Sequence, residues 1–431
     1  MRQSSNFIKR NVISLNKDLP MFFLYNILTY ISIFFIRIIA LFNKKLGLFV
    51  AGRKQSFQIL KDNILSTDKV FWIHVASLGE YEQGLPVMEQ LKQKYPTHKI
   101  VLTFFSPSGY EVKKNNTIAD ATLYLPMDTL ANAKKFLALC HPEQVFFVKY
   151  EYWPNYLNQL RQQNIPTYLV SGILRPDQVF FKWYGGFYRT ALKAFTYFFV
   201  QNEVSKILLN QLQYNNVEIV GDTRFDRVSQ ILEQHNELAF LEAFTLNKMA
   251  KTIVIGSSWP EDEKILANYI NNTQDNSIKF IFAPHNIKKD QIDNLVQNIK
   301  KPTVLHSQHQ EKDLSQYSVY IIDAYSILTK AYSYADIAYI GGGFGAGIHN
   351  ILEAATYGVP VIIGPNYKKF QEAKDLITLG SCIVVNSQSE LDQIFDELLY
   401  NDAKRIELGK TSNHFILKNK NATEKIMKHI H

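Results

Sequence analysis

Residues 336–353 of the chain, DIAYIGGGFGAGIHNILE, run from an apolar stretch through a glycine-rich loop into a segment with helical spacing. The apolar part, IAYI, has the length and composition of a strand that is buried on both faces. Five of the seven residues from Gly341 to Gly347 are glycine, which lets the backbone adopt positive φ and approach a ligand closely. A strand, a turn and a helix in this order are typical of a parallel α/β sheet.

The same alternation of apolar strands and amphipathic segments occurs twice along the chain. The strands lack polar alternation, which indicates parallel sheets covered on both faces. We therefore predict an α/β fold with two Rossmann-like doubly wound domains facing a cleft and an N-terminal membrane-anchor helix. The predicted strands are Val70–Ala76, Ile100–Phe105, Val145–Tyr150, Thr167–Val170, Tyr197–Val200 and Val217–Val220, then Ile253–Gly256, Phe280–Ala283, Val319–Ile322, Ile337–Ile340, Val359–Ile363 and Cys382–Val385.

The alternation of strands and helices is interrupted by a polar, helical stretch near Gly221–Ala250, which we interpret as the boundary between the domains. The predicted organisation is an extension and anchor helix (1–50), an acceptor-binding domain (51–222), a linker (223–250), a nucleotide-sugar-binding domain (251–412) and a C-terminal helix (413–431). In such sheets, ligands bind beyond the carboxyl ends of the strands, so functional motifs are expected directly after strands.

The composition, 46% hydrophobic and 20% charged residues, is that of a folded protein and excludes a disordered one. The net charge of +8 favours an anionic lipid surface or a phosphorylated substrate, and no compact basic run indicates nucleic acid. The two cysteines, Cys140 and Cys382, are far apart, which argues against a disulfide scaffold or a zinc site and for a reducing cytoplasm. We expect no metal and no cofactor.

The segment Met21–Phe42, MFFLYNILTYISIFFIRIIALF, is long and apolar enough to cross a bilayer. A spanning anchor, an amphipathic helix lying in the interface, a buried core helix and a cleaved signal peptide are all compatible with the pattern, in decreasing order of preference. Basic residues on both sides of the segment give only a weak orientation. The abrupt change in composition suggests that Met21 is the true start and that residues 1–20 are an upstream extension.

Two carboxylates follow predicted strands of the first domain. Glu80 lies in the block VASLGE, where Ser77 could cap a helix and Glu80 could complete a capping box. Alternatively, Glu80 faces the cleft and removes a proton from an acceptor hydroxyl. Glu151 follows the apolar run VFFV in the block EYWPN, and it is either a second functional carboxylate or part of a helix start before Pro154.

The glycine-rich loop of the second domain predicts an anion site, because exposed N–H groups and a helix N-terminus favour negative charge. It is neither a Walker loop nor a dinucleotide-binding fingerprint. Glu353 is placed to accept hydrogen bonds from two ribose hydroxyls, and His349 either contacts the ligand or caps the backbone. After two further strands, Ser257 and Ser258 could bind phosphate or cap a helix, and His285 could contact a phosphate or a base.

Taken together, these blocks resemble the family of 3-deoxy-D-manno-octulosonic acid (Kdo) transferases, the lipopolysaccharide enzymes of Gram-negative bacteria. The resemblance is collinear from about Phe23 to the C-terminus. It comprises VASLGEYEQGLP, TFFSPSGYE, EYWPN, VQNE, VGDTRFDRV, IGSSWPEDE, FAPHNI and GGGFGAGIHNILEAATYGVPVIIGP. The order and spacing of the blocks are much more specific than any single block.

The resemblance implies a GT-B enzyme of the inner membrane, with its catalytic domains on the cytoplasmic face. It implies inverting, metal-independent transfer of Kdo from CMP-Kdo to a lipid A precursor. The family's base falls on Glu80 and its second carboxylate on Glu151. Its donor contacts fall on Ser257, Pro284, His285, Gly343, Phe344, Gly345, Ala346, Gly347, His349, Asn350 and Glu353.

Three blocks depart from the family pattern. Pro284-His285-Asn286 replaces Pro-Arg-His, so that Lys288 or Lys289 would have to supply the missing positive charge, or backbone N–H groups would hold the phosphate. Tyr150 precedes Glu-Tyr-Trp-Pro where the family has Thr-Glu-Leu-Trp-Pro, and Asp222-Thr-Arg-Phe-Asp226 replaces Asn-Leu-Lys-Phe-Asp.

The alternatives to a Kdo transferase are a GT-B enzyme that uses a UDP-sugar, a sugar-nucleotide epimerase, and a non-catalytic membrane-bound module that binds a nucleotide or glycan.

Overall fold

The computed structural model describes the backbone of residues 2–430 and the side chains of residues 21–430. The predicted extension, residues 1–20, lies outside the residues whose side chains are described. The described chain divides into two compact units. The first comprises the residues up to Arg227 together with the segment from Asn421 onward, and the second comprises Val228–Lys420.

Within residues 2–430 the strands form two parallel sheets of seven strands each. The strands of the first unit are β1 (Val70–Val75), β2 (Lys99–Phe104), β3 (Ala121–Tyr124), β4 (Gln144–Val148), β5 (Thr167–Gly172), β6 (Tyr197–Val200) and β7 (Val217–Ile219). Those of the second are β8 (Thr252–Ser258), β9 (Lys279–Pro284), β10 (Thr303–Leu305), β11 (Val319–Ile321), β12 (Ile337–Ile340), β13 (Val361–Ile363) and β14 (Cys382–Val384).

The helices, in chain order, cover the sheets of their own units. They are α1 (Arg2–Ile39), α2 (Lys44–Asn63), α3 (Leu78–Lys94), α4 (Pro107–Lys113), α5 (Leu130–Cys140), α6 (Pro154–Gln162), α7 (Gly186–Leu192), α8 (Glu203–Gln211), α9 (Arg224–Ser229), α10 (Ala239–Phe244), α11 (Pro260–Asn272), α12 (Lys289–Asn298), α13 (Leu328–Ala331), α14 (Leu352–Thr356), α15 (Gln371–Thr378), α16 (Gln388–Tyr400), α17 (Asp402–Asn419) and α18 (Ala422–Met427).

The strand order confirms two doubly wound α/β sheets. It is β3-β2-β1-β4-β5-β6-β7 in the first unit and β10-β11-β9-β8-β12-β13-β14 in the second. Every residue of β1 and of β12 is buried, as strands covered on both faces require. The cores consist of these apolar strands and the inner faces of the helices, with Trp72 and Tyr339 among the largest fully buried side chains.

Two details differ from the sequence-based prediction. The segment 413–431, predicted as one helix, contains the end of α17 and all of α18, because Asn421 has a left-handed backbone with φ 77°. The Asp226 carboxylate accepts hydrogen bonds from the backbone N–H groups of Asn421 and Thr423, which fixes α18 to the first unit. The predicted linker 223–250 contains α9 and α10, and the second unit begins within it at Val228.

Helix α1 contains, in Met21–Ile39, the one described segment that is long and apolar enough to cross a membrane. One face of this segment packs on the first unit. Its half-buried positions follow helical spacing: Phe22, Tyr25, Asn26, Thr29, Ile33, Ile36 and Ala40. The Tyr25 hydroxyl donates to the Asp128 carboxylate at 2.7 Å, and the opposite face exposes large apolar side chains such as Phe23 and Phe34.

Candidate active site

In the first unit, the strand order reverses between β1 and β4, which lie side by side in parallel. Crevices at such a switch point are where doubly wound sheets bind their ligands. Glu80 belongs to the first turn of the helix that follows β1, and Glu151 lies in the loop that follows β4. The topology therefore brings both predicted carboxylates to the same edge of one sheet.

The Glu80 carboxylate is held by residues directly before its own helix. Its Oε2 accepts a hydrogen bond from the backbone N–H of Ala76 at 2.7 Å and lies 3.2 Å from the Ser77 hydroxyl, which donates to it. The capping box suggested by the sequence is not formed, since the Ser77 side chain accepts no cap hydrogen bond. Ser77 instead helps to orient Glu80, and one carboxylate oxygen, Oε1, has no described partner.

The environment of Glu80 favours its protonated form. Burial raises the pKa of this carboxyl, and the negative charge of Glu151 raises it further. Lys149, the Ala76 N–H and His74 act in the opposite direction without reversing the shift. A carboxylate whose pKa is raised is a stronger proton acceptor, which suits a general base.

Glu151 is held by two side-chain donors. Its Oε2 lies 3.2 Å from His74 Nε2 and 2.9 Å from Trp153 Nε1. His74 is the one polar residue within the apolar strand VFWIHV and is fully buried. Its Nδ1 lies 2.8 Å from the hydroxyl of Thr103, which in turn accepts from Trp72 Nε1 at 2.8 Å.

These contacts determine the tautomer of His74. The Thr103 hydroxyl already accepts a proton from the Trp72 indole, and its alternative acceptor, the Ile73 carbonyl, is 3.4 Å away. Thr103 therefore donates to Nδ1. The Trp153 indole lies 3.1 Å from His74 Nε2 and 2.9 Å from Glu151 Oε2, and we assign its proton to the nearer carboxylate, so that His74 Nε2 also donates to Glu151. The sequence analysis missed His74 and Thr103, although a histidine inside a fully apolar strand was a visible signal.

The backbone between β4 and Glu151 is strained, because Lys149 is a non-glycine residue with φ 72°. Residues in this region tend to occur where a functional group must be aimed. Beside Glu151 lies a cavity of about 300 Å³ with aromatic walls. Its lining residues are Tyr150, Glu151, Tyr152, Trp153, Val179, Phe180 and Tyr188.

In the second unit the strand order reverses between β8 and β12. The glycine-rich loop follows β12, Ser257 and Ser258 end β8, and Pro284 ends the neighbouring strand β9. The Ser258 hydroxyl donates to Glu263 at 2.9 Å, whereas the Ser257 hydroxyl has no partner among the described residues. The predicted donor-binding residues thus gather at the switch point of the second sheet.

Part of the glycine content is explained by packing. A Cβ on Gly341 would lie 2.4 Å from the Ser257 carbonyl oxygen, and a Cβ on Gly343 would lie 2.5 Å from the Gly364 nitrogen. Gly342 and Gly347 have φ of +89° and +116°, which favour glycine. Gly345 has more room, because the nearest atom is 3.4 Å away in the flexible Glu261 side chain.

The loop is not an open cradle of amides, contrary to the expectation from its composition. The buried Asp262 carboxylate accepts hydrogen bonds from the backbone N–H of Gly342 at 2.7 Å and from the Tyr339 hydroxyl at 2.9 Å. The amide of Phe344 points to the same carboxylate at 3.5 Å. Amides that have no acceptor among the described residues include those of Ala346 and Asn350, later in the loop.

The helix that was expected directly after the loop begins only at Leu352 and is five residues long. Asn350 and Glu353 are nevertheless brought together, with Asn350 Nδ2 donating to Glu353 Oε1 at 3.0 Å. The Thr329 hydroxyl donates to Glu353 Oε2 at 2.7 Å. A fixed carboxylate beside an amide is suited to binding vicinal hydroxyls of a sugar.

Three rings form a stack beside the loop. The His285 ring stacks on both the ring of Trp259, with centroids 4.6 Å apart, and that of His349, at 4.4 Å, and the centroids of the Trp259 and His349 rings are 6.3 Å apart. The Trp259 indole N–H donates to His349 Nε2 at 2.9 Å. Burial lowers the pKa of His349 to about 4 and also lowers that of His285, so both rings are neutral near pH 7. They offer stacking and single hydrogen bonds instead of positive charge.

Comparison with known proteins shows which family the chain resembles. Residues 47–227 match the model of the N-terminal domain of 3-deoxy-D-manno-octulosonic-acid transferases, and this match ends where the first unit ends. The Kdo transferase of Rickettsia bellii is 28% identical over 77% of this chain and 79% of its own length. That of Chlamydia trachomatis serovar D is 24% identical over 85% and 86%. The chain is therefore similar to Kdo transferases over most of its length.

The similarity to Kdo transferases indicates that the chain is a glycosyltransferase. Its fold is that of GT-B proteins, as a solved structure of similar topology illustrates. The UDP-GlcNAc 2-epimerase of Neisseria meningitidis superposes with a TM-score of 0.60, at 17% identity over 84% of this chain and 98% of the epimerase. At this identity the likeness concerns the fold alone.

The Kdo transferase pattern has an arginine after the proline that ends β9, and this chain has His285 at that position. Lys288 and Lys289 were predicted to supply the missing positive charge. Lys289 is engaged by Asp293, with Nζ 2.7 Å from Oδ2. Lys288 has no ion pair among the described side chains, and it precedes α12 directly. Lys288 is therefore the better candidate for a substitute positive charge.

Proposed function

We propose that this chain transfers Kdo from CMP-Kdo to a hydroxyl of a lipid A precursor, with inversion and without a metal, in lipopolysaccharide core biosynthesis. The match of residues 47–227 to the Kdo transferase model and the similarity to curated Kdo transferases support the reaction class. The observation that carries the mechanism is the pair Glu80 and Glu151 at the switch point of the first sheet.

In this proposal Glu80 takes the proton of the attacking hydroxyl. Its Oε2 is occupied by Ala76 and Ser77, so Oε1 is the oxygen that would accept the proton. The pKa raised by burial and by Glu151 increases its basicity. Proton removal by a positioned carboxylate contributes roughly 10²–10⁴-fold to rate.

Glu151 would act through its charge. Hydrogen bonds from His74 and Trp153 would stabilise a negative charge on its carboxylate. An ionised carboxylate stabilises the oxocarbenium-like transition state expected when CMP leaves the anomeric carbon, by analogy with glycoside hydrolysis. The aromatic cavity beside Glu151 would hold the sugar of the acceptor against its walls.

Donor binding is assigned to the second unit. Glu353, fixed by Thr329 and Asn350, would accept hydrogen bonds from the ribose hydroxyls. The Ser257 hydroxyl and the amides of Ala346 and Asn350 would bind the phosphate, with Lys288 as the nearby cation. The Trp259–His285–His349 stack would pack against the base or the sugar.

The chain would act at the cytoplasmic face of the inner membrane, where a lipid acceptor is available. Support comes from the apolar face of α1 and from the net charge of +8. Because the opposite face of α1 packs on the first unit through contacts such as Tyr25 with Asp128, we favour a helix embedded along the interface over a free span.

The reaction is tested by mass spectrometry of lipid A precursor after incubation with the full chain and freshly generated CMP-Kdo in detergent. We expect a product heavier by one or more Kdo units, and no product with UDP-sugars. Transfer from a UDP-sugar, or CMP binding without any product, would contradict the proposed donor and acceptor.

A further inference from the structure

A cavity of about 230 Å³ lies within the first unit, between α1, α2 and the segment that follows β3. Its walls are predominantly apolar. They are formed by Ile33, Ile36, Arg37, Phe49, Val50, Arg53, Lys54, Phe57, Pro126, Met127 and Asn132. Neither Glu80 nor Glu151 lines this cavity, so its occupant is distinct from the reacting groups of the proposed transfer.

Three cations line the cavity, and no carboxylate does. Arg37 is in the last turn of α1, and Arg53 and Lys54 are adjacent on α2. Among the side chains of residues 21–430, none of the three has a carboxylate within ion-pair distance. An apolar space bordered only by positive charge is complementary to an anion that carries a hydrocarbon chain.

Arg53 is the most unusual of the three, because it is only 9% exposed. Its guanidinium lies 3.4 Å from the centroid of the Phe49 ring and donates to the carbonyls of Phe49 at 3.1 Å and Phe105 at 2.9 Å. Its Nε–H is buried without an acceptor. Of the five guanidinium N–H donors, at most two are thus accounted for.

A buried guanidinium without an anion is costly, and the cost is relieved when an anion binds. Burial lowers the pKa of Arg53 to about 9, which leaves the group charged at neutral pH. The rings of Phe49, Phe105 and Tyr124 surround the guanidinium, but no anion of the described residues balances its charge, so an anion from outside would complete its environment. Phosphate oxygens match the planar donor fork of arginine.

We propose that this cavity binds an anionic phospholipid of the membrane. The phosphate would be held by Arg53, with Arg37 and Lys54 at the mouth, and one acyl chain would lie against Ile33, Ile36 and Met127. A phospholipid is favoured over a soluble anion because most of the lining is apolar. It is also favoured because α1, whose half-buried face forms one wall through Ile33 and Ile36, exposes large apolar side chains on its opposite face and is the part of the chain suited to a bilayer.

The test measures binding of dioctanoyl phosphatidylglycerol, a soluble anionic lipid, to the full chain in nonionic detergent by native mass spectrometry and calorimetry. We expect one tightly bound lipid per chain and affinities lower by about tenfold or more for dioctanoyl phosphatidylcholine and for inorganic phosphate. Arg53→Met should weaken binding of the anionic lipid at least tenfold. Ile36→Trp should do the same by filling the acyl region while leaving the charges in place.

Lys45→Met is the matched control, since it removes an exposed cation of α2 that does not line the cavity. Equal lipid binding by the wild type and by Ile36→Trp would overturn the proposal, even if Arg53→Met failed to fold. Binding of inorganic phosphate as tight as that of the lipid would indicate a soluble anion and would also overturn it. Competitive displacement of the lipid by lipid A precursor would reassign the cavity to the acceptor. None of these measurements depends on turnover, so they succeed or fail independently of the proposed transfer reaction.

Discussion

His74 Nε2 and Glu151 Oε2 lie 3.2 Å apart beneath the edge of the first sheet, where the order of its strands reverses. Behind His74, the Thr103 hydroxyl links the imidazole to the Trp72 indole. This chain of hydrogen bonds has a direction, from Trp72 through Thr103 and His74 to Glu151. Its consequence is that His74 holds the Glu151 carboxylate in a fixed position.

Thr103→Val removes the hydroxyl that fixes the His74 tautomer while keeping the shape of the side chain. We expect kcat to fall about tenfold, the factor corresponding to loss of a hydrogen bond of about 1.4 kcal/mol, with the donor KM unchanged. Thr103→Ser is the control and should retain wild-type kinetics. A Thr103→Val variant with a lowered melting temperature but a normal kcat would show that this network has only a structural role.

The raised pKa of Glu80 predicts how stability depends on pH. Burial and Glu151 raise this pKa above its value in the unfolded chain, so the folded protein binds the proton more tightly. The resulting stabilisation is present below the ordinary carboxylate pKa of 4.5 and is lost as the pH rises through the raised value. Glu80→Gln, which cannot titrate, should therefore gain stability relative to the wild type across this range. Urea midpoints measured at a series of pH values test this. A wild type whose stability increases relative to that of the variant as the pH rises would contradict it.

The sequence predicted the two doubly wound sheets well, because central parallel strands are long and apolar on both faces. The strands it missed, β3 and β10, are both edge strands and are four and three residues long. Short edge strands bury less surface and carry a weaker apolar signal. The sequence also predicted that the candidate residues lie directly after strands, because ligands of parallel sheets bind beyond the carboxyl ends of the strands.

The sequence does not show which polar groups hydrogen-bond to one another in the folded chain. Asp262 lies 80 residues before Gly342 in the chain, and it takes up amides that composition alone assigned to a ligand. Ser77 was expected to cap a helix and orients Glu80 instead. The contact of Tyr25 with Asp128 spans 103 residues and places α1 against the first unit, which hydropathy alone cannot indicate.

Two glycines of the loop after β12 should respond differently to the same change. Gly343→Ala places a Cβ 2.5 Å from the backbone nitrogen of Gly364, so the loop must shift, and we expect a loss of about 1–3 kcal/mol in the free energy of unfolding. Gly345→Ala meets only the flexible end of Glu261 at 3.4 Å and should leave stability nearly unchanged. Chemical denaturation of both variants checks this, and equal destabilisation would contradict the packing explanation.

Glu353→Ala tests the assignment of the ribose site. Loss of a carboxylate that binds two hydroxyls should weaken CMP binding by about tenfold or more, measured by calorimetry. Deoxycytidine monophosphate, which lacks one of these hydroxyls, should bind the wild type more weakly and should be affected less by the substitution. Glu372→Gln, a carboxylate of α15 in the same unit, is the control and should bind CMP normally. Wild-type affinity for CMP in Glu353→Ala would refute the ribose role.

The most direct test of the account is single-turnover transfer by Glu80→Gln, with CMP affinity measured on the same preparation. Glu89→Gln, a partly exposed glutamate of the same helix, is the matched control and should transfer Kdo at the wild-type rate. The account predicts that Glu80→Gln folds and binds CMP normally but transfers roughly 10²–10⁴-fold more slowly. Near-normal transfer by Glu80→Gln would show that another group removes the acceptor proton and would contradict the central claim.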